Sequence, residues 1–229
     1  MALFHFSVPA LDIQLTFNIL KSLAEQTETS IQNNIDKFIN DGVETIKIEI
    51  DADEGIYQFI DTYLDFPGHV IDLEDAFTSY FPSLQRRSVF LTIFGTMEHE
   101  LAKFCISYSK RNNLNIGLND LKWSGLEQTH LYMKRILNLN NSQYFPIIKK
   151  IIKLRNSCIH NDCKFVTVDD QEIKEICSLM TAHPEIFSKD GKQVLFLKNS
   201  LTFIISIFQQ YASEIEAAVK QVSALPPPP

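Results

Sequence analysis

Over residues 83–110 the apolar side chains Val89, Ile93, Met97, Leu101, Phe104, Cys105 and Tyr108 recur every three or four positions. A stripe of that length and period faces a core only from an α-helix. Little in the chain breaks such segments up. Its 229 residues include 7 glycines, and four of its 9 prolines form the run at 226–229. Sparse punctuation favours long helices over a many-turned β fold. With 45% hydrophobic and 21% charged residues, the chain can bury a core of its own.

The same reading extends along the chain. Leu11, Leu15, Ile19, Leu20 and Leu23, then Ile31, Ile35, Phe38 and Ile39, predict a helix or helix pair from residue 11 to about 40, stopped by Asp41-Gly42. Residues 45–50 alternate polar and apolar, a short strand signal. Residues 51–72 are acidic and punctuated by Gly55, Pro67 and Gly68; they read as irregular, with one helical stretch near 56–64. Asp72 is placed to cap a short helix ending at Tyr80, and Pro82 suits the first turn of the next. Further helices are predicted at about 124–137, 143–160 and 171–181. A hairpin turn is predicted at Lys189-Asp190-Gly191-Lys192 with 193–196 as its strand arm, and a last helix runs from Asn199 or Ser200 to about 222. The expected class is all-α: a helical bundle over 81–225, a mostly helical acidic N-terminal extension over 1–80, at most a small β-hairpin, and a proline tail at 226–229.

Several function classes find no support. No run approaches the length of a membrane-spanning helix, no basic amphipathic helix suits a membrane surface, and the first residues lack the basic and apolar regions of a secretory signal. Cys105, Cys158, Cys163 and Cys177 show no disulfide-framework spacing, and three of them sit in helical patterns, where free cysteine serves as a small buried hydrophobe. A reducing, cytoplasmic setting is expected. Cys158, His160 and Cys163 match no common zinc spacing and have no second Cys/His pair nearby, so neither metal nor cofactor is expected. There is no glycine-rich phosphate loop, nucleophile elbow or notable carboxylate pair.

The net charge of −7 argues against indiscriminate nucleic-acid binding. It is unevenly spread. Residues 1–80 hold 3 lysines and 15 acids, net −12, whereas residues 81–229 carry net +5. Within 145–164, Lys149, Lys150, Lys153, Arg155 and Lys164 face a single acid, Asp162. The acidic first part is therefore expected to be able to lie over this basic surface and restrain it.

That basic segment ends in Lys153-Leu154-Arg155-Asn156-Ser157-Cys158-Ile159-His160-Asn161. A permanent guanidinium five residues from an imidazole is suited to phosphodiester chemistry. On a helix Asn156 and His160 share a face, and Arg155 reaches round from about 140° away. RNA brings its own nucleophile, the 2′-hydroxyl. Cleavage needs a base for that hydroxyl, positive charge for the pentavalent phosphate and an acid for the leaving 5′-oxygen. A symmetric dimer would supply two copies of each group. The plainer alternative is that Arg155 and His160 finish the helix and pair with acids such as Asp162.

The Arg-x4-His pattern, with a polar residue directly after the arginine, resembles the signature of the HEPN superfamily (higher eukaryotes and prokaryotes nucleotide-binding). Leu84-Gln85-Arg86-Arg87 through Phe94-Gly95-Thr96-Met97-Glu98-His99-Glu100-Leu101 resembles the long early helix of bacterial members. The resemblance covers about residues 82–222. It implies an all-α bundle with the motif near the end of a late helix. It also implies a metal-independent endoribonuclease leaving a 2′,3′-cyclic phosphate, of the kind found among toxins and antiviral defence effectors. In that reading Arg155 and His160 are catalytic, Asn156 orients, and Glu98 adds a polar group from the facing helix. Lys149, Lys150, Lys153 and Lys164 guide the RNA. The implied partners are RNA and a second copy with the two motifs apposed, with room for an antitoxin or regulatory protein. Other members of the family have lost activity and serve as modules that bind a protein or nucleotide.

Overall fold

The computed structural model describes residues 8–51 and 53–224; the proline run at 226–229 lies outside them. The chain is mainly helical. Its elements are α1 (Val8–Asp41), β1 (Glu44–Asp51), β2 (Ile56–Tyr63), β3 (Phe66–Pro67), α2 (Leu73–Asp75), α3 (Phe81–Arg111), α4 (Gly125–Ile136), α5 (Phe145–His160), α6 (Lys174–Ala182), β4 (Phe187–Asp190), β5 (Gln193–Phe196) and α7 (Ser200–Ala224). One large core joins α1, α3, α4, α5, α6 and α7.

The first helix is one unbroken rod, and its buried seam differs from the expected stripe. Ile13, Phe17, Leu20, Ala24, Ile31 and Phe38 are buried, whereas Leu15 and Ile19 are 61% and 59% exposed. Apolar residues surround this helix, so two stripes compete. Leu11, Leu15, Ile19 and Leu23 step by four and drift around the axis. The seam that wins averages about 3.5 residues per repeat, which keeps one face against the core along the whole rod. The N-terminal half of α1 belongs to the main core and the C-terminal end to a satellite of Phe38, Tyr63 and Leu73.

The region expected to be irregular is a sheet. β1, β2 and β3 form an antiparallel meander in that order, and the stretch expected to be helical near 56–64 is strand β2 over Ile56–Tyr63. The correction has a plain cause. Ile56, Tyr57, Phe59, Ile60, Thr62 and Tyr63 are β-branched or aromatic, and Gly55, at φ +66°, turns them back onto β1. Leu64 and Asp65 then take positive φ in the tight turn to β3. A second hairpin, β4–β5, forms around the expected turn at 189–192, with 193–196 as its second strand, so the expected limit of a single small hairpin is exceeded.

No break separates the Asp72-capped segment from α3. Asp72 accepts from the Asp75 amide at 3.0 Å, and the chain continues through a π-helical turn, Ala76–Tyr80, into α3. Pro82 lacks an amide proton, and the wider turn before it accommodates that loss without ending the helix. Around this turn Phe38, Tyr63, Phe66, Phe77 and Phe81 pack ring to ring, with centroids 4.8–5.7 Å apart; they fix the base of the meander to α1 and α3.

Arg86, on α3, ties distant elements together. Its guanidinium donates twice to Glu28 of α1, at 2.8 Å each, and once to the Phe196 carbonyl of β5, at 3.2 Å. Ser83 accepts the Phe196 amide at 2.9 Å. Near the start of α5, His130 of α4 stacks on Phe145 at 3.4 Å and meets the Tyr211 hydroxyl at 2.7 Å. Burial, with Lys134 and Lys149 adding to it, pushes His130 down from 6.5 to about 4.

Two outcomes follow from these contacts. Arg86→Ala strands the Glu28 carboxylate and the Phe196 carbonyl, and urea denaturation should read a loss of about 3 kcal/mol. His130 is favoured neutral in the fold, so its contribution is full above pH 6.5 and is lost as pH falls toward about 4. Thermal melts should therefore drop across that window more steeply for the wild type than for His130→Phe, which keeps the stacking and removes the titration.

Candidate functional site

The face of α3 that meets the second half of α5 is set by spacing. Arg87, Leu91, Phe94 and Glu98 step by four, three and four, and so share one side of the helix. α5 runs antiparallel to it: Arg155 lies by Phe94 and Glu98, while Asp162, just beyond the end of α5, meets Arg87.

Arg155 is held on three sides. Its guanidinium sits over the Phe94 ring at 5.3 Å to the centroid, donates to Asn156 Oδ1 at 3.0 Å, and lies 3.9 Å from Glu98 Oε2. Both partners of the ion pair remain about one-third exposed, so solvent screens the pair and leaves it reachable by a charged ligand. Glu98 in turn rests against Gly125, the first residue of α4. Gly125 has φ +60°, and a Cβ added there would run into the Glu98 carboxylate. The missing side chain at 125 thus makes room for the acid facing Arg155.

The solvent face of α5 carries Lys149, Lys153, Asn156 and His160 at steps of four, three and four. Lys149, Lys153 and His160 are exposed and Asn156 is half-buried. The other expected lysines lie elsewhere. Lys150 turns to α6 and donates to Ser178 at 2.8 Å. Lys164 is half-buried in the turn after the helix, where it bridges to Gln193. His99 is exposed.

The backbone behind His160 is pinned. The Cys163 amide reaches back six residues to the Ser157 carbonyl at 3.0 Å, and Asp162 and Cys163 take positive φ. Ser157 Oγ donates to the Lys164 carbonyl, and Asn161 Nδ2 donates to the Val166 carbonyl at 2.7 Å. A well-held backbone thus presents an exposed imidazole.

Two features of this end are not in the expected set. Arg87 pairs with Asp162 at 3.1 Å, so Asp162 answers an arginine of α3 and not Arg155. Arg87 was visible in the sequence as the start of the stripe ending at Glu98. Beneath it, Cys158 donates to the sulfur of Cys163 at 3.3 Å. That bond and burial raise the Cys158 thiol, while the same bond, helped by the Arg87 charge, lowers Cys163. Among the described residues, no three His, Cys, Asp or Glu side chains gather where they could hold a metal ion.

Comparison with protein-family models, with curated proteins and with solved structures finds no match.

Gly125→Ala should destabilise the fold by about 1–2 kcal/mol through its left-handed backbone alone. It should also push Glu98 off Arg155. In a double-mutant cycle the coupling between Glu98 and Arg155 should then vanish in the Gly125→Ala background while remaining measurable in the parent.

Proposed function

We propose that the chain is a metal-independent endoribonuclease of the HEPN type, acting on RNA by 2′-hydroxyl attack to leave a 2′,3′-cyclic phosphate. The observation that carries the reading is the exposed face of α5. Lys149, Lys153, Asn156 and His160 line it, and Arg155 lies beside it, anchored by Phe94, Asn156 and Glu98. In this reading His160 exchanges a proton with the 2′-hydroxyl or the 5′-oxygen. Arg155 stabilises the pentavalent phosphate, displacing its contact with Glu98 as the substrate's charge arrives. Asn156 orients the guanidinium, and Lys149 and Lys153 engage the flanking backbone. A homodimer with apposed motifs would supply a second imidazole, so that acid and base are different residues. Such an enzyme belongs among toxins or antiviral effectors, with a partner protein that restrains it.

A second reading is favoured by one contact. Glu98 already partners Arg155, as in a module whose arginine has become structural and whose surface binds a protein or nucleotide.

Expression of the wild type, Arg155→Ala and His160→Ala in a bacterial host separates the two. The nuclease reading expects growth arrest and fragmented RNA from the wild type alone. Purified wild type should cut RNA in EDTA to ends that carry a cyclic phosphate. Equal, harmless expression of all three, with RNA left intact, would give the binding reading the lead. Deleting 1–80 is no clean test of restraint, because it strips Phe17, Leu20, Ala24 and Ile31 from the packed interior.

A further inference from the structure

β1 is the outer strand of its sheet. It pairs with β2 on one side, and among the described residues no backbone group closes its other side. Every residue from Glu44 to Ile50 is exposed. Long open edges are ready templates for another strand, and folded proteins usually blunt them with proline, a very short edge or a covering loop. β1 has no proline, is eight residues long and is uncovered among the described residues; its blunting devices are Lys47 in mid-strand and a bulge at Ile50, where its register to β2 shifts. Its two faces are also sharply different. Ile46, Ile48 and Ile50 alternate with Lys47 and Glu49, and the isoleucines are 42%, 40% and 60% exposed. On the charged face the Lys47 amine lies 3.3 Å from the centre of the Tyr57 ring.

We propose that β1 pairs antiparallel with β1 of a second copy of this chain, about a two-fold axis through Ile48. The register follows from the residues. Centred on Ile48, Ile48 faces Ile48, Ile46 faces Ile50, and Lys47 faces Glu49, the charged pair occurring twice by symmetry. Moving the axis to Lys47 sets two lysines against each other, and moving it to Glu49 sets two glutamates against each other. A slip of half a step places Ile48 opposite Lys47 and mixes the apolar and charged faces. One register alone matches apolar to apolar and cation to anion. It joins two three-stranded meanders into one continuous sheet, with the isoleucine faces of both copies on the same side. Its outer edges are then the two-residue strands β3, too short to recruit further copies. The sequence signal was present at 45–50 as an alternating strand; the open edge emerges only once β2 is seen to cover one side.

The interface uses no residue of α5 and stands apart from the ribonuclease reading. Arg155→Ala and His160→Ala should leave it unchanged.

Sedimentation equilibrium on the full chain tests it through charge reversal. The wild type should dimerise. Lys47→Glu sets two glutamates at each contact and Glu49→Lys sets two lysines, so each should weaken dimerisation at least about tenfold. The double variant Lys47→Glu, Glu49→Lys restores opposite charges in the same register and should recover most of the loss. Lys47 and Glu49 are both exposed, so circular dichroism should report intact folding throughout. A wild type that stays monomeric overturns the proposal. So does a dimer indifferent to the single reversals, or one that the double variant fails to rescue.

Discussion

The Arg86 guanidinium is the contact on which the arrangement of the molecule turns. Three of its N–H groups reach two elements that are far apart in sequence, and the acceptors they meet would otherwise lie desolvated. Glu28 fixes where α1 crosses α3. Phe196 has both its amide and its carbonyl answered by α3, through Ser83 and Arg86, and this fixes the second hairpin. That hairpin's Gln193 reaches the Asp162 carbonyl at 3.2 Å, so the turn that follows His160 is braced from the same anchor. A buried ion pair of this kind is an expensive way to gain stability and a good way to specify one arrangement over others.

The helices were largely legible because their apolar residues repeat with the right period and few glycines interrupt them. α3, α4, α5 and α7 fall close to their predicted limits. The sequence is ambiguous where two local arrangements have similar merit. On α1 two apolar stripes were both plausible at short range, and only the length of the rod decides for the one ending at Phe38. Residues 56–63 have strand composition but little alternation, and an acidic neighbourhood disguised them until β1 supplied a partner. The π-helical turn before α3 left no mark in the sequence beyond Pro82.

The site was legible in its chemistry and less so in its connections. Arg155, Asn156 and Glu98 do lie together, as the helix spacing allowed. The lysines divide by angle around α5, which spacing alone could have told: Lys149 and Lys153 lie on one side, Lys150 faces a neighbouring helix, and Lys164 lies past the end. The partner of Asp162 was not readable. It required knowing that α3 and α5 run antiparallel, since only that brings Arg87 to the end where the motif finishes.

The stripe on α3 also works as a ruler. Phe94, over which Arg155 lies, is seven residues from Arg87, about 10 Å along a helix axis. The two arginines are therefore held at separate stations by a single rigid element, each with its own acid. In this arrangement the two guanidiniums rest at different levels of α3 and do not close on one point. A two-arginine clamp on a single phosphate would have to borrow its second guanidinium from another molecule.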